Sequence, residues 1–279
     1  MIKKSLLTFA FLFVIYNIFL FFNKVAWHST QSQFQGSVIK SDRYIDDPNT
    51  PQAVVVGTSL SSMIVDDSIP GLYNLSMPGM ALFDGCHILF KRKTIPPAVF
   101  IEVNYFYKDE NKSFTSSFDS KIESFSKAHL LALRDENQPV GIIRHFFWLR
   151  GHPGGNVVHN TILPQQVLQE LVKNHKKDYI HPDDKLISNG LLQLKATVSQ
   201  IQARGSKVYF FEMPTDTSLE QLPLAVKVRQ LITTTFADIP FLPIPKQVFS
   251  TIDGIHLNGN DAVEYTRYFK SYVQKAALN

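Results

Sequence analysis

The sequence predicts an α/β fold with a mostly parallel sheet, preceded by one N-terminal transmembrane helix. Three observations carry this expectation. Short apolar runs of the buried-strand type alternate with stretches of helical spacing, as parallel strands joined by crossover helices do. An 18-residue stretch near the N-terminus carries no charge. Of the 279 residues 44% are hydrophobic and 19% charged, enough to build a core and too apolar for global disorder.

The charge-free stretch is Ser5–Phe22, SLLTFAFLFVIYNIFLFF. As a helix it spans about 27 Å, close to the ~30 Å hydrocarbon core of a bilayer. Lys3 and Lys4 precede it and Lys24 follows, so the positive-inside rule places the N-terminus inside and the body across an inner or plasma membrane. A cleaved signal peptide has a shorter apolar core and a small-residue cleavage site, which Val25-Ala26-Trp27 matches poorly. A buried helix of a soluble fold fits eighteen mostly large apolar residues at a terminus badly. Residues 1–26 are therefore expected as a membrane anchor. The polar pair Tyr16-Asn17 inside the span suggests packing against an integral-membrane partner, or else a helix dimer or headgroup contact.

Residues 27–50 are polar and read as a linker. The body, 51–279, begins with the apolar run 53–56, broken by Gly57. A second strand is expected at 71–75, a helix over 80–92, and a third strand over 98–103. Residues 105–185 interrupt the rhythm with aromatics, His and Lys. They are expected to form an insertion of one or two helices over the C-terminal edge of the sheet. A helix at 187–203, a strand at 207–211, a helix over 219–236 and a last amphipathic helix at 261–277 complete the pattern.

Three of the 28 Lys and Arg residues lie in the first 26 positions, which contain no acid. The rest balance 25 basic against 24 acidic residues, which argues against a nucleic-acid partner. Cys86 stands alone, excluding an internal disulfide and a cysteine-rich metal site. His145, His152, His159 and His175 of the insertion, with Arg150, follow no metal-ligand spacing and read as loop residues. No cofactor is expected.

Four short elements could carry chemistry. Ser59, in Gly57-Thr58-Ser59, follows the first strand, where open α/β sheets place ligands, although a serine there also caps helices. Asp253 and His256 share one short loop, so the carboxylate could orient the imidazole to take a proton from a serine; a loop Asp beside a surface His is the plain alternative. Gly79 could bring a backbone N–H to a substrate oxygen, and Asn104 could offer a side-chain amide to the same atom. A turn glycine and a strand-end asparagine would look the same.

In order and in context these elements resemble the SGNH, or GDSL-like, hydrolase superfamily. Gly57-Thr58-Ser59 is similar to its Gly-Asp-Ser block, Asn74 to Gly79 to its Asn-x-x-x-x-Gly block, and Asp253 with His256 to its Asp-x-x-His block. Glu102-Val103-Asn104-Tyr105 resembles the Gly-x-Asn-Asp block, keeping only the asparagine, while Thr58 replaces an aspartate. The resemblance implies a three-layer α/β/α sandwich on a mostly parallel sheet of about five strands, a Ser59–His256–Asp253 triad, an acyl-enzyme on Ser59, and an oxyanion hole of Ser59 N–H, Gly79 N–H and Asn104 Nδ2. More loosely, the chain is similar to anchored SGNH proteins that work beside membrane-bound O-acyltransferases. That implies acyl, expectedly acetyl, esters of cell-surface polysaccharide as substrate and such an acyltransferase as partner. The altered Asn104 block leaves a second expectation open, a non-catalytic carbohydrate-binding or assembly protein on a degenerate fold.

Overall fold

The computed structural model describes residues 2–23, 32–151 and 163–278. Lys24, His28, Ser29, Gln31 and the Val25-Ala26-Trp27 site lie outside these residues, as do His152, Gly154, Gly155 and His159. In chain order the helices and strands are α1 (Ile2–Phe22), α2 (Gln33–Asp46), β1 (Ala53–Val56), β2 (Leu72–Asn74), α3 (Leu82–Lys91), β3 (Ala98–Glu102), α4 (Lys112–Thr115), α5 (Lys121–His129), α6 (Pro139–Gly151), α7 (Gln165–Ile180), α8 (Asp184–Ala203), β4 (Lys207–Phe211), α9 (Pro223–Thr235) and α10 (Gly259–Leu278). They fall into two compact units, one of residues 1–46 and 112–157, the other of 47–111 and 158–279.

The second unit is the α/β body. Its four strands pair in parallel in the order β2-β1-β3-β4, with helices on both faces. All four residues of β1 and all five of β3 are buried, which is why these strands read as unbroken apolar runs rather than alternating ones. Phe269 of α10 packs edge-on against Phe100 of β3 and at a tilt against Phe211 of β4, with ring centroids 5.2 and 4.9 Å apart. Asp183 caps α8 by accepting from the N–H groups of Lys185 and Leu186, and Pro223 opens α9. The expected fifth strand is reduced to a single parallel bridge, Phe210 to Phe241. Pro240, Pro243 and Pro245 crowd that segment, and proline cannot donate to a ladder.

The first unit is helical and gathers distant parts of the chain. The segment expected as a linker contains α2, which buries Val38, Ile39 and Tyr44. Arg134 reaches Asp46 at 2.9 Å, Arg43 reaches Glu136 at 2.7 Å, and Lys127 lies between Asp42 and Asp135 at 3.2 and 3.4 Å. Burial pushes the Asp42 carboxyl up to about 6, against the pull of Lys127. Helix α1 is long and apolar enough to cross a membrane. Leu20, near its end, is buried against Ile142, with Tyr16, Leu131 and Ala132 around the pair. The Tyr16 hydroxyl donates to the Asn137 carbonyl at 2.5 Å, and Asn17 Oδ1 accepts from the Ala132 N–H at 3.1 Å. The polar pair of the span thus has hydrogen-bond partners within this chain. The stretch expected as one insertion, 105–185, is divided: 112–151 belongs to this unit, whereas α7 belongs to the body.

Candidate active site

The strand order sets the location. From β1 the chain moves to β2 on one side; from β3 it moves to β4 on the other. The gap between the C-terminal ends of β1 and β3 is the switch point where open α/β sheets hold ligands. Gly57-Thr58-Ser59 leaves β1 there and Asn104 follows β3.

Ser59 Oγ lies 2.8 Å from His256 Nε2, and His256 Nδ1 lies 2.7 Å from Asp253 Oδ2. A serine near the start of the body and an aspartate and histidine near its end thus form one hydrogen-bonded chain, half-buried at each member. Their loop is built for it. Asp253 Oδ1 accepts from the backbone N–H groups of Ile255 and His256 at 3.0 and 2.8 Å, leaving Oδ2 for the ring. Gly254 adopts φ +103°, and its carbonyl accepts from Asp216 N–H at 2.8 Å. Burial pushes the Asp253 carboxyl up, but the ring and the two backbone donors outweigh it and hold the group at about 2. An ionised Asp253 favours the tautomer with a proton on Nδ1, which leaves Nε2 free to accept the serine proton.

The serine loop is held by residues to which the sequence reading assigns no chemistry. Glu102, fully buried at the end of β3, accepts from the N–H and the hydroxyl of Thr58, both at 2.7 Å, through Oε2. The Ser61 hydroxyl lies 3.2 Å from the same oxygen. Register continues past Val56–Ile101, so Gly57 sits beside Glu102; a Cβ there would come 2.6 Å from Glu102 Cβ and 2.2 Å from Ser61 Oγ. Only glycine fits. Asn74, also buried, donates through Nδ2 to the carbonyls of Ser61 and Ile64, and its Oδ1 accepts from Ser76 N–H. A clue to Glu102 was present in the sequence: a lone carboxyl group closing the apolar run AVFIE, since a buried polar residue signals a specific task.

The two expected oxyanion donors are differently placed. Gly79 is exposed at φ +76° and occupies the third position of a turn, Met77-Pro78-Gly79-Met80, closed by Met80 N–H to Met77 O at 3.2 Å. Proline second and a positive-φ glycine third define a type II turn. Asn104 lies two residues beyond β3, opposite Met213 two residues beyond β4, because Glu102 pairs with Phe211. Its carboxamide imitates a peptide unit: Oδ1 accepts from Met213 N–H at 2.8 Å and Nδ2 donates to Met213 O at 2.9 Å. One Nδ2 hydrogen is thus spent on the neighbouring strand end and one remains. No hydrogen bond among the described residues joins Gly79 or Asn104 to the Ser59–His256–Asp253 chain.

Asn104 also borders a small cleft between the end of β4, α9 and Tyr179 of α7. Within it Arg229 pairs with Glu212 at 2.9 Å. Burial raises the Glu212 carboxyl, which Arg229 opposes, and raises the neighbouring Glu220 as well. Burial pushes the Tyr179 phenol up to about 12. Among the described residues no group of three or more His, Cys, Asp or Glu side chains is arranged to hold a metal ion.

Fold and site define an α/β protein with a serine, a histidine and an aspartate in hydrogen-bonded series at its topological switch point. No family model and no curated protein sequence matches the chain. Among solved structures it is similar to a Bacteroides fragilis protein provisionally described as an acylhydrolase, at a TM-score of 0.43 and 12% identity, over 89% of this chain and 99% of that one. A likeness of that degree says nothing of activity.

Proposed function

We propose that the chain is a membrane-anchored serine esterase or O-acyltransferase. The observation that carries the reading is the Ser59–His256–Asp253 series, with contacts of 2.8 and 2.7 Å. His256 Nε2 takes the Ser59 proton as Oγ attacks an ester carbonyl, and the imidazolium is stabilised by Asp253. The tetrahedral oxyanion is met by Ser59 N–H and by the remaining Nδ2 hydrogen of Asn104, with Gly79 N–H as third donor once substrate is bound. The intermediate collapses with the leaving alkoxide taking the proton from His256. The acyl group then passes from Ser59 to water or to a sugar hydroxyl, whose proton His256 accepts in turn and returns to Ser59 Oγ as that oxygen leaves. The SGNH resemblance extends the proposal to acyl, expectedly acetyl, esters of cell-surface polysaccharide, with the body outside an inner or plasma membrane and a membrane-bound O-acyltransferase as partner. The packing of Leu20 and the hydrogen bonds of Tyr16 and Asn17 support retention of the anchor, since cleavage would strip the 131–142 segment of its cover.

The test uses the full chain in detergent micelles, a fluorophosphonate probe and chromogenic acyl esters. The protein is expected to label on Ser59 and turn over ester, and Ser59→Ala to do neither. Equal labelling of Ser59→Ala and the unaltered chain would sink the proposal. The commitment of Asn104 to Met213 favours a second reading, a binding protein without turnover, and absence of both labelling and hydrolysis would select it.

A further inference from the structure

The helical unit carries an apolar surface that no other described residues cover. In α5, Ile122 is 82% and Phe125 64% exposed, with exposed His129 on the same face. At 100° per residue that face lies opposite Glu123 and Lys127, which join in an ion pair at 3.2 Å. In α6, Ile142 and His145 are buried, yet the outward side is apolar too. Val140 and Ile143 are 57% exposed, Phe146 59% and Phe147 67%. A helix apolar on both sides is ordinarily enclosed by protein or lipid. Leu130 and Leu133, between the two helices, are exposed at 39% and 45%. Patches of this extent mark an interaction surface.

Continuity with α1 names the occupant. Tyr16 lies six residues before the end of the helix, about 9 Å along its axis. It is hydrogen-bonded to Asn137, while Asn17 holds Ala132 and Leu20 packs on Ile142. Whatever depth the last turns of the span occupy, residues 131–142 occupy it as well. The charges of this region are turned to α2: Arg134 to Asp46, Glu136 to Arg43, and Lys127 to Asp42. That leaves the apolar side chains of α5 and α6 outward, with exposed Arg144 and Arg150 on α6 able to reach lipid phosphates. We infer that α5, α6 and the turn between them form an interfacial collar around the end of the span, seated in the headgroup and upper acyl region of the same bilayer. The inference rests on α1 being a membrane anchor, and it adds that the unit lies in the membrane surface rather than standing clear of it.

The experiment places a fluorescent label at single introduced cysteines in the full chain, reconstituted in phosphatidylcholine–phosphatidylglycerol vesicles. Native Cys86 is buried. The variants are Phe125→Cys, Ile143→Cys and Phe147→Cys, all at exposed positions and so tolerant of change. Phe9→Cys reports the span and Leu192→Cys, on exposed α8 surface, reports water. Labels at 125, 143 and 147 are expected to lose fluorescence to lipids with nitroxides on the acyl chains and to resist aqueous iodide, as the label at 9 does. The label at 192 behaves in the opposite way. If the label at 9 is lipid-quenched while those at 125 and 147 are iodide-quenched, the anchor stands and the collar falls. Iodide quenching at 9 removes the anchor and the collar together. Resistance to both quenchers at 125 and 147 means that protein, a second copy or another chain, covers the face, and this also overturns the inference.

Discussion

Replacing Glu102 with alanine removes the acceptor of two short Thr58 donors inside the body and of the longer Ser61 contact at 3.2 Å. Thr58 N–H and Thr58 Oγ1–H both end 2.7 Å from Glu102 Oε2, and Thr58 is itself buried. A buried donor stripped of its partner costs about 1–3 kcal/mol, so the pair sums to about 2–6 kcal/mol. That is a large share of the ~5–15 kcal/mol that holds a domain together. At about 2–4 °C per kcal/mol for a unit of this size, melting should fall on the order of 10 °C. Glutamine separates acceptor loss from other effects. Its oxygen can take the place of Oε2, and its NH2 then stands where Oε1 already has no hydrogen-bond partner among the described residues. Glu102→Gln exchanges one unpaired polar atom for another and should cost only about 1 kcal/mol. The assay is thermal unfolding of the full chain in detergent, with fluorophosphonate labelling of Ser59 read in parallel, because Thr58 carries Ser59 on its next peptide. Alanine melting together with the unaltered chain, or glutamine melting as low as alanine, would refute the reasoning.

Asp253→Asn leaves a side chain of the same shape but withdraws the charge that fixes the His256 tautomer. The fold should survive while ester turnover drops by roughly three to four orders of magnitude, measured as kcat/KM; an unchanged rate would remove Asp253 from the reaction. Because the Asp253 carboxyl is held at about 2 in the fold against an ordinary 3.8, its ionised form stabilises the native state at every pH above about 4. That contribution is lost as pH falls from about 4 to about 2, so melting temperature should decline over this window, and less steeply in Asp253→Asn.

The body was legible because its signals are local. β1, β3 and β4 are apolar runs of four to five residues, and each lies within a residue of its expected bounds. The Asp253–His256 spacing brings both side chains together within one loop. What was not legible depends on partners far along the chain. The polar segment before the body reads as a linker until Lys127, Arg134 and Glu136 supply partners for Asp42, Asp46 and Arg43 of α2. Asn104 was picked out by its place after a strand, but the carbonyl that takes its Nδ2 belongs to Met213, across the register of β3 and β4. Glu102 was visible as a departure from a motif, and its task became visible only with Thr58 and Ser61 around it.

The hydrogen bonds of Tyr16 and Asn17 also bear on the order of events during synthesis. The ribosome makes α1 first, but the acceptor of the Tyr16 hydroxyl is 121 residues further on and the donor to Asn17 is 115 further on. At about 5–20 residues per second, the helix waits roughly 6–24 s for those groups to be made. Through that interval two polar side chains stand in an apolar helix with only their own turn to bond to, as Asn17 Nδ2 does with Phe13 O. The helical unit is therefore closed late, from the middle of the chain back to its beginning. A nascent chain that stalls before residue 137 carries a helix whose polar pair is still waiting for its complement, and a quality-control machine could distinguish it from a finished one.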